Sequence, residues 1–322
     1  MKGTLLAAVV LVSCATLYAA DVPLTDGTAV HLADAAEGAA VLGASDAFSK
    51  TMGSLERSVR MGTPREVTEK DYLEFVAGQA RSFTDAEAAR IVKIVENIRG
   101  KIQRADLKLN FPPVVTFIKT TGKDEGDASY CRGSAVILPQ GFVGMPVRGL
   151  EQVIIHELFH ILTNADPGLR AKLYPIVGFT PCADVELPAE IAPRRLTNPD
   201  ALRHDFYTEV SFEGADVKVV PVLLMKGDKF DPEAARIFDY LTFSLLAVDR
   251  KDGSLVARYS NGRPLLIDPD KCPDYGKRLG GNTGYIIHPE EALADNFVFV
   301  VNGTKDLPDE SVPSKMRKVL SQ

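Results

Sequence analysis

The residues best equipped for chemistry are His156-Glu157-Leu158-Phe159-His160. On a helix, positions i and i+4 share a face, so both imidazoles can reach one metal ion. Neutral imidazole is a good zinc ligand, and a catalytic zinc keeps three protein ligands with one position open. Glu157 sits one residue round the helix, where its carboxylate can take a proton from a water at the site. The apolar residues Val153, Ile154, Ile155, Leu158, Phe159, Ile161 and Leu162 predict a helix buried on most sides. Two imidazoles and a carboxylate need partners in such a setting. The chain has only 5 His, and chance placement would give this pattern in fewer than roughly one in a hundred such chains.

A catalytic zinc needs a third ligand, and positions 161–203 hold no histidine. The best candidate lies in His288-Pro289-Glu290-Glu291-Ala292-Leu293-Ala294-Asp295. Glu291 and Asp295 are four apart on a predicted helix and share a face, so Glu291 can ligate while Asp295 accepts the far ring N–H of a ligand histidine. Glu290, one position away, is expected to point elsewhere. Alternative third ligands are His288 and His204, then Glu186, Glu190 or Glu209.

HExxH with a downstream ExxxD helix resembles the gluzincin branch of zinc metallopeptidases. The resemblance covers the helix around 150–164 and the helix around 289–301, together with the strand at 134–138. It implies an α+β, zincin-like fold and zinc-dependent hydrolysis of a peptide or protein substrate, with Glu157 as general base. It further implies a Tyr or His beside the metal that steadies the developing oxyanion, for which Tyr285, Tyr207 and His204 are candidates. Strand 134–138 would run along the cleft edge and pair with an extended peptide. Glu291 follows His160 by 131 residues, farther than in thermolysin-like members, so a β-rich insertion is expected over about 165–284. A non-peptidase zinc hydrolase and an inactive peptidase-like binding protein are the alternatives; retention of Glu157 speaks against the second. A structural zinc site would prefer four closed ligands rich in Cys, and no Cys lies near the motif.

The elements that position these residues follow from patterning. Residues 148–164 form one helix, closed by Asp166-Pro167-Gly168, and another starts at Pro289 and stops near Asn302-Gly303. Thr84-Asp85-Ala86-Glu87 is a capping box ahead of a third amphipathic helix. Apolar spacing predicts further helices over 48–59 and 69–82. β-Branched runs at 114–120 and 134–138 read as a hairpin, and strands are expected at 206–212, 217–224, 240–248 and 255–259. Strands and helices come in blocks, which favours α+β over a doubly wound sheet.

The N-terminus carries a short positive start at Met1-Lys2-Gly3, an apolar run from Thr4 to Val12, and small residues at Ser13-Cys14-Ala15 and Ala19-Ala20. That is the layout of an export signal over 1–20, and Leu11-Val12-Ser13-Cys14 resembles a lipoprotein box with Cys14 as the lipid carrier. The expected location is therefore periplasmic or extracellular, with a lipid anchor on Cys14 as the variant. A leader with short helices over 21–66 and a single catalytic domain over 67–322 follow, with His31 exposed in the leader. The net charge of −6 argues against nucleic acid, whose binders are basic, and no later segment suits a transmembrane helix. Export leaves three cysteines, of which Cys182 and Cys272 are the expected disulfide pair.

Overall fold

The computed structural model describes residues 21–322 except Ala235; the export signal and Cys14 lie outside the described residues. The chain is α+β, with two six-stranded sheets, a small two-stranded one pairing Tyr259–Ser260 with Arg263–Pro264, and the helices that cover them. The first sheet contains β1 (Val22–Thr25), β2 (Thr28–Leu32), β3 (Ala80–Arg81), β4 (Val114–Thr120), β5 (Tyr130–Arg132) and β6 (Ala135–Pro139). Its order is β1-β2-β4-β6-β5, with β3 pairing beside β4. β2, β4 and β6 are parallel, whereas β5 is an antiparallel edge. Ala135-Val136-Ile137-Leu138 is apolar at every position because both faces of the central strand are covered.

Alternation sorts this sheet's side chains into two cores. Val115, Phe117, Cys131, Val136 and Leu138 face the helices Asp85–Arg104 and Val147–Ala165. Ile118, Tyr130, Ala135 and Ile137 face the short helices of residues 35–77. The second sheet is antiparallel, in the order β11-β10-β9-β8-β7. Its strands are β7 (Thr180–Pro181), β8 (Phe206–Phe212), β9 (Ala215–Met225), β10 (Leu241–Lys251) and β11 (Ser254–Ala257), with Leu266–Ile267 pairing beside β10.

Two helices matter for the site. The motif helix, Val147–Ala165, buries Leu150, Ile154, Ile155, Leu158, Phe159, Ile161 and Leu162. The acidic helix, Pro289–Asn302, has His288 as its N-cap, Pro289 in the first turn and Gly303 at φ 63° after its end, the left-handed position that glycine adopts without strain. It packs against the motif helix, Phe159 meeting Phe297 at 5.5 Å between ring centroids.

Several expectations need correction. Residues 114–120 and 134–138 are not a hairpin: β4 and β6 are parallel, and the hairpin is β5–β6. The segment after β4 crosses beyond β6 before turning back at Gly133-Ser134, where Gly133 takes φ 58°. β6 is therefore interior, and the edge strand is β5. The segment 21–66 is not simply a helical leader, since β1 and β2 open the first sheet. His31 lies in β2, half-buried between Asp21 and Glu37. The helix expected over 48–59 breaks where Met52 is extended, and the helix from Glu69 ends at Ala77. Cys182 and Cys272 are both free thiols; the first packs with the far side of the second sheet and the second with the main core. No helix among the described residues is long and apolar enough to cross a membrane.

Candidate metal centre

The motif and acidic helices bring His156, His160 and Glu291 together, their ligand atoms all within 4.8 Å of one another. Glu291 Oε2 lies between the two imidazoles, 3.3 Å from His156 Nε2 and 3.5 Å from His160 Nε2. The rings sit edge to face, 4.8 Å between centroids, as successive turns of one helix require. Each far nitrogen has its own carboxylate. His156 Nδ1 is 2.9 Å from Asp295 Oδ1, and His160 Nδ1 is 3.0 Å from Glu290 Oε1. With Nδ1–H donated outward, each neutral ring turns its Nε2 lone pair toward the Glu291 carboxylate. Three electron-pair donors aimed at one point demand positive charge there, either protons on both rings or a cation.

The electrostatics carry the same demand. Burial would lower the His156 imidazole, yet its bonds to Asp295 and Glu291 push it up to about 9. His160 is raised well above its ordinary value, the charges of Asp200 and Glu291 overcoming burial. Burial would raise the Glu291 carboxyl, but the His160 charge and the His156 bond hold it well below the usual range. Glu291 is steadied on its other oxygen by Asn198 Nδ2 at 2.7 Å. This donor set, two imidazoles and one carboxylate with both remote nitrogens anchored, suits a zinc ion.

Glu157 is 4% exposed and flanks the two histidines; burial raises its carboxyl against the pull of His160 and His156. Beside it opens a cavity of about 420 Å³, whose walls include Phe142, Val153, Val298 and Phe299, with His156 and Glu157 also lining it. Tyr285 stacks on His156 with ring centroids 6.2 Å apart and is 42% exposed at the same mouth. The charge of Glu291, with burial, pushes its phenol up, so it remains an O–H donor.

Other candidates lie elsewhere. Tyr207 packs on the second sheet with Lys218 over its ring at 6.0 Å. His204 lines a small cavity with Asn198 and His288, and burial pushes it down to about 4. His288 caps the acidic helix, its Nδ1 accepting the Glu290 N–H at 3.2 Å. Glu209 pairs with Lys218, Glu190 accepts from Tyr259, and Glu186 is exposed. Glu290 does not point elsewhere: besides His160 it accepts the hydroxyls of Thr163 and Tyr174, with Arg170 at 3.5 Å.

Sequence reasoning missed Cys131, Asn198 and Asp200. Asp200, buried in a segment with no motif of its own, accepts the Cys131 N–H at 3.0 Å, and Cys131 touches Glu157. Compared with protein-family models, curated proteins and solved structures, the chain finds no match, so the functional reading rests on the site itself.

Proposed function

We propose that this chain is an exported zinc metallopeptidase of gluzincin type with a zincin-like fold. The observation that carries the reading is the placement of Glu291 Oε2 between His156 Nε2 and His160 Nε2. Those three groups would hold the metal. A zinc ion bound there supplies a Lewis acid that polarises the scissile carbonyl and acidifies water.

The chain's own residues do the rest. Glu157 accepts the proton of the attacking water at its carboxylate and returns it to the leaving amine. A raised carboxyl suits that exchange, because the group must both take and give the proton near neutral pH. Asp295 and Glu290 keep the histidines in the tautomer that presents Nε2. Tyr285 is placed to donate its O–H to the oxygen that gathers charge. The apolar walls of the adjoining cavity exclude water around an inserted side chain of the peptide. Support for the fold reading includes an antiparallel edge strand on a mixed sheet, with the motif helix packed against it. β5, in place of 134–138, is then the strand that borders the cleft.

Glu157→Gln tests the reading. The variant should bind zinc as the parent does and lose nearly all hydrolysis of a casein-type substrate, because an amide cannot accept the proton. Zinc content measured beside turnover decides it, and undiminished turnover would sink the mechanism. The export component is tested by N-terminal sequencing of secreted protein, expected to begin between Cys14 and Asp21.

A further inference from the structure

β5 has three residues, and its pleat decides which of them meets the motif helix. Tyr130 and Arg132 face the short N-terminal helices: the Tyr130 hydroxyl donates to Asp124 Oδ2 at 2.9 Å, and Arg132 reaches the Leu42 carbonyl and Asp46. Cys131, between them, faces the opposite way. Its Sγ lies 3.3 Å from Glu157 Oε2 and 3.4 Å from the Glu157 carbonyl oxygen. The Cys131 N–H is tied to Asp200 Oδ1, which fixes the strand edge at the point where the thiol emerges. Among the described residues, no other side chain donates a hydrogen bond to the Glu157 carboxylate. A buried carboxylate with a single donor takes its orientation from that donor.

We infer that Cys131 is a positioning residue for the base: its S–H donates to the Glu157 carboxylate and holds it on the cleft wall beside His156 and His160. The inference rests on the proposed role of Glu157. Burial, with the charges of Glu157 and Asp200, pushes the thiol well above its ordinary range, so it stays a protonated donor. No bond to sulfur forms or breaks; the thiol acts only through the group it orients. A donor on a sheet strand is also well chosen for this task, because the β5–β6 ladder sets its position independently of the motif helix.

The test compares Cys131→Val and Cys131→Ser in the zinc-loaded enzyme. Valine suits a strand and cannot donate, though it exceeds the thiol by one methyl group; serine keeps a donor. Cys131→Val should lower kcat about 10- to 100-fold with KM and zinc content unchanged, the scale expected of a displaced catalytic group. Cys131→Ser should restore most of that loss. A second readout needs no turnover: the infrared S–H stretching band that vanishes in Cys131→Val should shift toward weaker hydrogen bonding in Glu157→Ala. Should Cys131→Val fail to fold, Cys131→Ala, which also lacks the S–H and adds no bulk, takes its place in both readouts. The inference is overturned if Cys131→Val matches the parent, if serine is as impaired as valine, or if the band does not move. Glu157→Gln run alongside separates the failures. An inactive Glu157→Gln with a fully active Cys131→Val removes only the positioning role, whereas an active Glu157→Gln removes the base as well.

Discussion

The two histidines of the motif are anchored in contrasting surroundings. His160 and its partner Glu290 have side chains 1% and 0% exposed, whereas His156 and Asp295 are 15% and 31% exposed. On the closed side Glu290 gathers His160, Thr163, Tyr174 and Arg170; on the open side Asp295 has His156 and the Thr283 hydroxyl, near Tyr285 and the cavity. In the proposed enzyme the closed side would hold the fold and the metal together, while the open side would meet substrate. The sharpest way to break this division is Glu290→Ala. Removing that carboxylate strands two buried hydroxyls and an imidazole N–H and takes the counter-charge from the half-buried Arg170, a loss of about 3–5 kcal/mol. Thermal unfolding and zinc titration should show a strong fall in both stability and affinity. A variant as stable as the parent would mean that the closed side is not a structural anchor.

Changes on the open side should leave stability alone. Tyr285→Phe keeps the ring on His156 and removes the donor, so kcat should fall about 100-fold with KM and Tm little changed. Steady-state kinetics beside a melting curve checks this, and an unchanged kcat would take Tyr285 out of the mechanism. Asp295→Ala should reduce zinc affinity by roughly 10- to 100-fold, the usual cost of freeing a ligand ring. Because water and Thr283 reach that position, the fold should persist, and competition against a zinc chelator measures the effect. If Asp295→Ala unfolds the protein as Glu290→Ala does, the two sides are not different in kind.

The same contrast marks what was legible in the sequence. Both helices could be read to within a residue or so, because apolar spacing, Pro289 at the start and Gly303 past the end are local signals. The shared face of Glu291 and Asp295 was also local, and both meet His156. Glu290 was misread because face logic considers one helix at a time. Here the helices cross so that His156 meets positions 291 and 295 while His160 meets positions 290 and 291. Cys131, Asn198 and Asp200 carried no signal at all. Their contacts exist only because β5 crosses beyond β6 and the segment after the motif helix returns over that edge, and pairings at such separations leave no trace in spacing. The parallel pairing of β4 with β6 was hidden for the same reason.

A smaller effect tests the closed side from the end of the acidic helix. His288 sits there half-buried as a neutral cap, with Nδ1 accepting the Glu290 N–H. Burial pushes it down to about 4, and the Arg170 and His204 charges add to that against Glu290 and Glu291. An unfolded histidine titrates near 6.5. Between those values the unfolded chain takes up a proton that the folded chain refuses, so the contribution is fully present above about 6.5 and is lost as pH falls toward 4. The full span corresponds to on the order of 3 kcal/mol. Asparagine is a good N-cap that does not titrate, so His288→Asn should keep the helix start and flatten this part of the acid dependence. Other groups, the metal ligands included, also titrate on acidification, and for that reason the difference between parent and variant is the informative quantity. Urea unfolding of both zinc-loaded proteins at pH 7 and pH 5 supplies it. The parent should lose more stability over that interval than His288→Asn; equal losses would show that His288 does not cap the helix as a neutral ring.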